Sequence, residues 1–385
     1  MTTTFDKTVA RLESQLDEAM LTTGAQIVVD VEGRRVLDIA RGDSGTGGDM
    51  TPEHVYRVYC TTKPVTSIAV ARLVEDGRLD LDEPLASHLP DLRALDGGVS
   101  LRHVLTHTAG LQRPQAIDME LLTAPKRRAA VARTTPPPGW RIGASAAYSE
   151  FAGWHIIGWL LEAVTGMELR PFLRRTVLDP LGLHSTWVGM TQDEYTHALP
   201  TIGLNIDLRN LGRFPMVYER SQRVCMETNP AHGGYTNARD LATLYSRLLA
   251  GLSGETVDGL PSASTLEMFT SPARPVVFDE VLDRECSFGL GFMTDVAQHT
   301  FGDHCSASSF GHSGFLGSSF AFADPEHALA VGVVYNGVLG HETAFLRRRA
   351  LINALYADLA AEREPAEQDD PPPRGKRKRL LRPAR

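Results

Sequence analysis

A chain of 385 residues is long enough for one large domain, or two subdomains, around a sizeable buried core. Its 42% hydrophobic and 22% charged residues are an ordinary globular composition, which excludes wholesale disorder. A formal net charge of −8 argues against a protein-wide nucleic-acid surface, and no nucleic-acid partner is expected.

In chain order, residues 5–21 place Phe5, Val9, Leu12, Leu16 and Met20 at helical spacing, predicting an amphipathic helix. Residues 1–20 alternate charges with apolar residues and lack the apolar run of a secretion signal. No stretch of about 18 apolar residues could span a bilayer, so a cytoplasmic protein without a membrane partner is expected. Residues 25–41 read as a β-hairpin turning at Glu32-Gly33. From about 62 to 250 helical patterns dominate, at 65–75, 101–105, 152–165 and 240–249. Strands return at 289–293, 318–323 and 329–335, and a closing helix is predicted over 343–360. The fold class expected is α+β (an α/β sandwich): an antiparallel sheet flanked by helices, with an inserted, mostly helical subdomain. One catalytic domain would cover 1–361, its sheet part about 1–58 plus 285–361 and its helical part about 59–284. Residues 362–385 turn acidic, then Pro-rich, then basic through Arg374, Lys376, Arg377, Lys378 and Arg379. They cannot bury a core and read as a disordered, solvated tail in preference to an electrostatic tether.

The four cysteines, Cys60, Cys225, Cys286 and Cys305, lie far apart without the close pairs of a zinc site. Each reads by default as a small buried hydrophobe. Cys60 differs. Val65, Ile68, Ala69 and Leu73 define a helix that stops at Gly77, and Pro64 fits its first turn, so Cys60 stands at a helix N-terminus. Unpaired N–H groups and the helix dipole there favour a thiolate, and Lys63, three residues on, comes round to the same face. Taken alone, Cys-x-x-Lys is a weak pattern. His103 and His107 have zinc-ligand spacing, but Val104 stands where a zincin needs Glu, and the pair reads as structural.

Context strengthens the first motif. Residues 60–85 resemble the Ser-x-x-Lys motif and its downstream run in the class C β-lactamase and penicillin-binding-protein superfamily. Leu101 to Leu111 resembles that family's Leu-Leu-Thr-His-Thr-Ser-Gly-Leu element, and the stretch from Pro138-Gly139 through Tyr148-Ser149 to Thr165-Gly166 its Tyr-containing motif and helix. Gly311-His312-Ser313-Gly314-Phe315 is similar to its Lys-Thr-Gly or His-x-Gly motif. Together these cover most of residues 5–360, in the family's order. The resemblance implies that Cys60 is acylated and that Lys63 and Tyr148 move the proton. The backbone N–H groups of Cys60 and Phe315 would form the oxyanion hole, and His312 would line the site from a sheet edge. Ser313 and Gly314 would contact substrate, with no metal or cofactor required.

Two departures from the family matter. Cysteine replaces the serine nucleophile, and no neighbouring hydroxyl stands three residues before a lysine. Glu150 occupies a position where the family has a neutral side chain; its carboxylate could pair with Lys63 or receive a cationic amine. A thioester reacts with amines better than an oxygen ester does. The first reading is therefore a transacylase that takes an ester or thioester donor and passes the acyl group to an amine, without ATP, as in natural-product biosynthesis of the capuramycin type. An esterase or amidase and a non-catalytic binding protein are the alternatives; β-lactamase action ranks low. Arg209, Arg213, Tyr218 and Trp140 are candidate lining residues, within specificity segments expected at 112–135 and 205–229.

Overall fold

The computed structural model describes residues 5–18, 21–92, 98–113, 122–210 and 212–363. The expected tail lies outside them from residue 364 onward, as do residues 114–121 of the first specificity segment. The strands in chain order are β1 (Gly24–Val31), β2 (Arg34–Gly42), β3 (Tyr56–Tyr59), β4 (Trp187–Val188), β5 (Ile206–Asp207), β6 (Phe214–Pro215), β7 (Gly234–Thr236), β8 (Arg274–Asp279), β9 (Arg284–Phe288), β10 (Met293–Thr294), β11 (Phe310–Ser313), β12 (Ser319–Asp324), β13 (Leu329–Tyr335) and β14 (Gly337–Val338).

One eight-stranded sheet, in the order β2-β1-β13-β12-β11-β10-β9-β8, organises the molecule. The β1–β2 hairpin turns at Glu32 and Gly33, with φ of 50° and 70°; both central residues are left-handed, as a two-residue type I′ turn requires. β1 then pairs antiparallel with β13 from Ala25↔Tyr335 to Val31↔Leu329, so the two ends of the chain close one sheet. Alternation sorts its faces. Ile27, Val29, Phe320, Phe322 and Val331 pack with Leu12, Leu351 and Leu355 of the helices Asp6–Asp17 and His341–Arg363. Val28, Ala321, Ala323, Ala330 and Val334 join the cluster that includes Leu241, Leu244 and Leu248 of the helix Ala238–Leu252. Gly332 makes that second contact possible, because a Cβ there would stand 2.4 Å from the Ala238 carbonyl oxygen. The α+β class, the antiparallel sheet and its flanking helices match expectation.

Three expectations change. The sheet resumes at Arg274, before the expected 285, and β3 pairs not in it but with β7 and β4. Residues Gly289–Phe292 form a bend instead of a strand: Gly291 has φ 85°, and any side chain on it would strike Ser67 Oγ at 1.9 Å. β11 lies inside the sheet rather than at its edge. Its neighbour β10 pairs only with Gly311 and Phe310, however, so His312 and Ser313 run on past β10 toward the helical part. No helix among the described residues is long and apolar enough to cross a membrane.

Candidate active site

The small sheet β3-β7-β4 delivers Cys60. β3 ends at Tyr59, a 3-10 turn spans Cys60–Thr62, and the helix Lys63–Glu75 begins there with Pro64 in its first turn. Residues Lys63 through Ala71 are buried, so the helix is a central strut rather than a surface amphipathic one. The turn is stitched in place: Thr62 Oγ1 donates to the Tyr59 carbonyl at 2.7 Å and accepts from the Gly234 N–H at 3.0 Å. Tyr59 has φ 50° and ψ −130°, a conformation that costs an aromatic residue on the order of 1–3 kcal/mol.

Lys63 is fully buried. Its Nζ donates to the backbone carbonyls of Ala231 at 2.7 Å and Glu150 at 3.1 Å, leaving one of its three donors for Cys60. Of the two roles open to Glu150, pairing with Lys63 or receiving an amine, the bond seen with Lys63 is made by the Glu150 main-chain carbonyl. Burial pushes Lys63 below the ordinary lysine range, against the upward pull of Cys60 and, last, of Glu150. The carboxylate therefore does not dominate the protonation of Lys63. The Nζ also sits 5.1 Å from the Tyr148 ring centroid and 5.7 Å from that of Trp154.

Tyr148 is buried with no hydrogen-bond partner of ordinary geometry on its hydroxyl, and it faces Cys60. Burial, then Cys60 and Glu150, raise its phenol well above the usual range. Its main chain is clipped from both sides. The Tyr148 N–H donates to Asp279 Oδ1 at 2.9 Å, and the Ser149 N–H to His107 Nδ1 at 3.0 Å. The His107 ring packs 4.4 Å from the Tyr148 ring. Asp279 also accepts from Arg274 Nη2 at 3.1 Å, an ion pair whose side chains are 2% and 0% exposed. His103 bonds to the N-cap Ser100. The two histidines thus have structural partners, as expected.

His312 is buried in β11, 6.1 Å from the Tyr148 ring, with Nδ1 3.0 Å from the Ser313 carbonyl oxygen and Nε2 without a partner. Burial, then Lys63, push it well below the usual histidine range, so it is neutral. Ser313 is half-buried, its Oγ 3.9 Å from Met293 Sδ. Gly314 is required by packing: a Cβ there would meet Ser319 Oγ at 2.3 Å and the Val58 carbonyl oxygen at 2.4 Å. Cys60 and Phe315 each open a 3-10 turn, where the N–H has no carbonyl partner within the turn. The Phe315 ring lies 5.5 Å from that of Tyr59 and 5.5 Å from the Arg209 guanidinium carbon.

Of the other candidate lining residues, Tyr218 is 43% exposed beside Glu219, and Arg213 is exposed. Trp140 instead donates from its indole to the Thr108 carbonyl at 3.0 Å, a structural role. Sequence reasoning missed Tyr59, Glu219, Arg274 and Asp279. The only local signal was an aromatic residue directly before Cys60.

A sequence profile described as Beta-lactamase matches residues 9–356. The chain belongs to the beta-lactamase family. This family member is similar to Esterase/beta-lactamase LipL of Mycobacterium tuberculosis, 29% identical over 346 residues, covering 82% of this chain and 77% of LipL. It is also similar to Monacolin J acid methylbutanoyltransferase of Aspergillus terreus, 31% identical over 152 residues, 33% of this chain and 36% of the other. The solved structure of a penicillin-binding-protein homologue from Caulobacter crescentus superimposes with a TM-score of 0.73 at 26% identity, over 92% of this chain and 98% of that one. These similarities support an enzyme with a general acyl-transfer or hydrolase role.

Proposed function

We propose that this beta-lactamase-family enzyme is a transacylase with Cys60 as nucleophile. The observation that carries the reading is the placement of Cys60 at the head of a buried helix, facing both Lys63 and Tyr148. The Cys60 sulfur adds to the carbonyl carbon of an ester or thioester donor while its proton passes to Lys63, whose affinity for protons burial lowers, which favours the neutral amine that can accept it. The N–H groups of Cys60 and Phe315 receive the oxyanion, the donor's alcohol or thiol leaves with a proton, and a thioester remains. An amine bound as its ammonium first gives one proton through Tyr148 and Lys63 to solvent and then attacks the thioester carbonyl; as the C–S bond breaks, its second proton passes to the Cys60 sulfur and the amide departs. Glu150, half-buried and close enough to act electrostatically on both Lys63 and Tyr148, draws the amine in as its ammonium form. The setting proposed with this reading is amide formation in natural-product biosynthesis, which the resemblance to capuramycin-type transacylases permits.

The second reading, an esterase or amidase, is favoured by the similarity to LipL and differs only in the acceptor. Retention of Lys63, Tyr148 and His312 around the thiol weighs against a binding protein without chemistry. The deciding measurement is amide and free acid formed together over a range of amine concentrations. Wild type is expected to make more amide than acid, Cys60→Ala neither, and Glu150→Gln less amide at low amine with donor consumption by Cys60 little changed. Only free acid with every amine offered would replace transfer by hydrolysis, and full activity in Cys60→Ala would end both.

A further inference from the structure

Tyr59 touches both ends of the oxyanion site. It is bonded directly to Cys60 through the chain, and its ring packs 5.5 Å from that of Phe315. A bulky residue keeps φ 50°, ψ −130° only where its surroundings enforce it. Here the hydroxyl donates to the Glu219 carboxylate and lies 3.7 Å from Met216 Sδ, and the Arg57 guanidinium carbon sits 5.3 Å from the ring centroid. Glu219 is 2% exposed and itself held, accepting from Asn205 Nδ2 at 2.9 Å on one carboxylate oxygen, with Arg57 Nη1 3.7 Å from its other. Burial, then Glu219, keep the Tyr59 phenol protonated and donating. Asn205 Nδ2 also bonds the Arg57 carbonyl at 3.1 Å, tying the clamp back into β3.

We infer that Tyr59 and Glu219 are positioning residues for acylation: their hydrogen bond locks the strained Tyr59 backbone and ring, and so fixes the spacing of the Cys60 and Phe315 N–H groups. The inference rests on the reading of Cys60 as the acylated nucleophile. Its consequence is selective. A reaction of Cys60 that builds an oxyanion feels the clamp, and one that does not is indifferent to it.

Two reagents separate these cases on the same sulfur. In acylation by p-nitrophenyl acetate, the thiolate adds to the carbonyl carbon, an oxyanion forms, and the C–O bond breaks to release p-nitrophenolate. In alkylation by iodoacetamide, the C–I bond breaks, iodide leaves, and no oxyanion appears. Tyr59→Phe keeps the ring against Phe315 and removes only the hydroxyl. It is expected to slow saturated acylation at least about tenfold, with half-saturation by ester little changed, since small misplacements cost large factors in rate. Alkylation should stay within about twofold. Glu219→Gln keeps an acceptor and loses its charge, so it should slow acylation less, by about threefold; should Tyr59→Phe not fold, this variant decides. Acylation and alkylation falling in step, neither changing, or a loss confined to half-saturation would overturn the clamp. Undiminished acylation in Cys60→Ala would instead overturn the nucleophile assignment on which it rests.

Discussion

The four thiols differ in what surrounds them rather than in exposure, for Cys60 and Cys305 are both 9% exposed and Cys225 and Cys286 are closed off. Burial raises Cys225, Cys286 and Cys305, the last to about 12, so none of the three supplies appreciable thiolate near neutral pH. Cys60 alone combines a helix N-terminus with a buried lysine amine. It is therefore expected to be alkylated first, by more than about tenfold, in peptide mapping after limited iodoacetamide; faster labelling of any of the others would remove the basis for its assignment. Cys60 and Lys63 were legible in the sequence because their juxtaposition is local, one turn of one helix. Tyr148 and His312 became legible only through the resemblance of their motifs to a family. Glu219 and Asp279 were not legible, because each reaches the site through contacts more than a hundred residues away in the chain, with Tyr59 and Tyr148.

Elements with strong periodicity were read to within a few residues: the helix Ala152–Thr165, the strand β13 and the opening hairpin. The errors fell where tertiary contacts override pattern. Gly289–Phe292 has the look of a strand, yet its glycines admit Ser67 and the Phe269 carbonyl too closely for an extended run. β8 has only the apolar run Val276, Val277 and Phe278 to announce it, with Val276 and Phe278 exposed, so nothing in the sequence marked it as part of the sheet. Its two ends tie the sheet to the helical part. Arg274 bonds the Thr106 carbonyl at 2.9 Å, while Asp279 holds the Tyr148, Val281 and Leu282 N–H groups. The pair thus joins the edge of the sheet to two loops of the helical part, those of Thr106 and of Tyr148. Asp279→Ala should destabilise by about 3–5 kcal/mol, because it leaves Arg274 charged, buried and unpaired. Asp279→Asn, which retains an acceptor for the Tyr148 N–H, should lose less. Denaturant unfolding of the two variants checks this, and an Asp279→Ala midpoint equal to wild type would show that the clip contributes nothing.

Across the whole molecule, the helical and sheet parts meet around a set of buried imidazoles. His107, His155, His232, His299 and His312 are all pushed down, in each case first by burial; His155 and His299 reach about 3. The charge of Lys63 adds to the depression of His107, His155, His232 and His312, so a protein that keeps this lysine buried must keep its histidines neutral. The consequence for stability has a definite sign. In the unfolded chain each histidine takes up a proton as pH falls through about 6.5, and in the folded protein it does not. Above that pH both states are neutral and nothing is lost. Below it the unfolded state binds more protons, and each histidine removes up to about 1.4 kcal/mol of stability per pH unit until its folded value is reached. Lys63 differs: with its folded affinity lowered below the ordinary value near 10.4, the cost of its buried charge is carried in full below the folded value and is relieved progressively as pH rises from there to about 10.4. Stability measured by urea unfolding should therefore be level from about pH 7 to 8 and fall steeply between about pH 6.5 and 5, above the range where ordinary carboxylates titrate. A midpoint at pH 5 equal to that at pH 7.5 would mean that these imidazoles are reached by water and protonated in the folded state, and the neutral, dry surroundings assigned to Lys63 and Tyr148 would go with them.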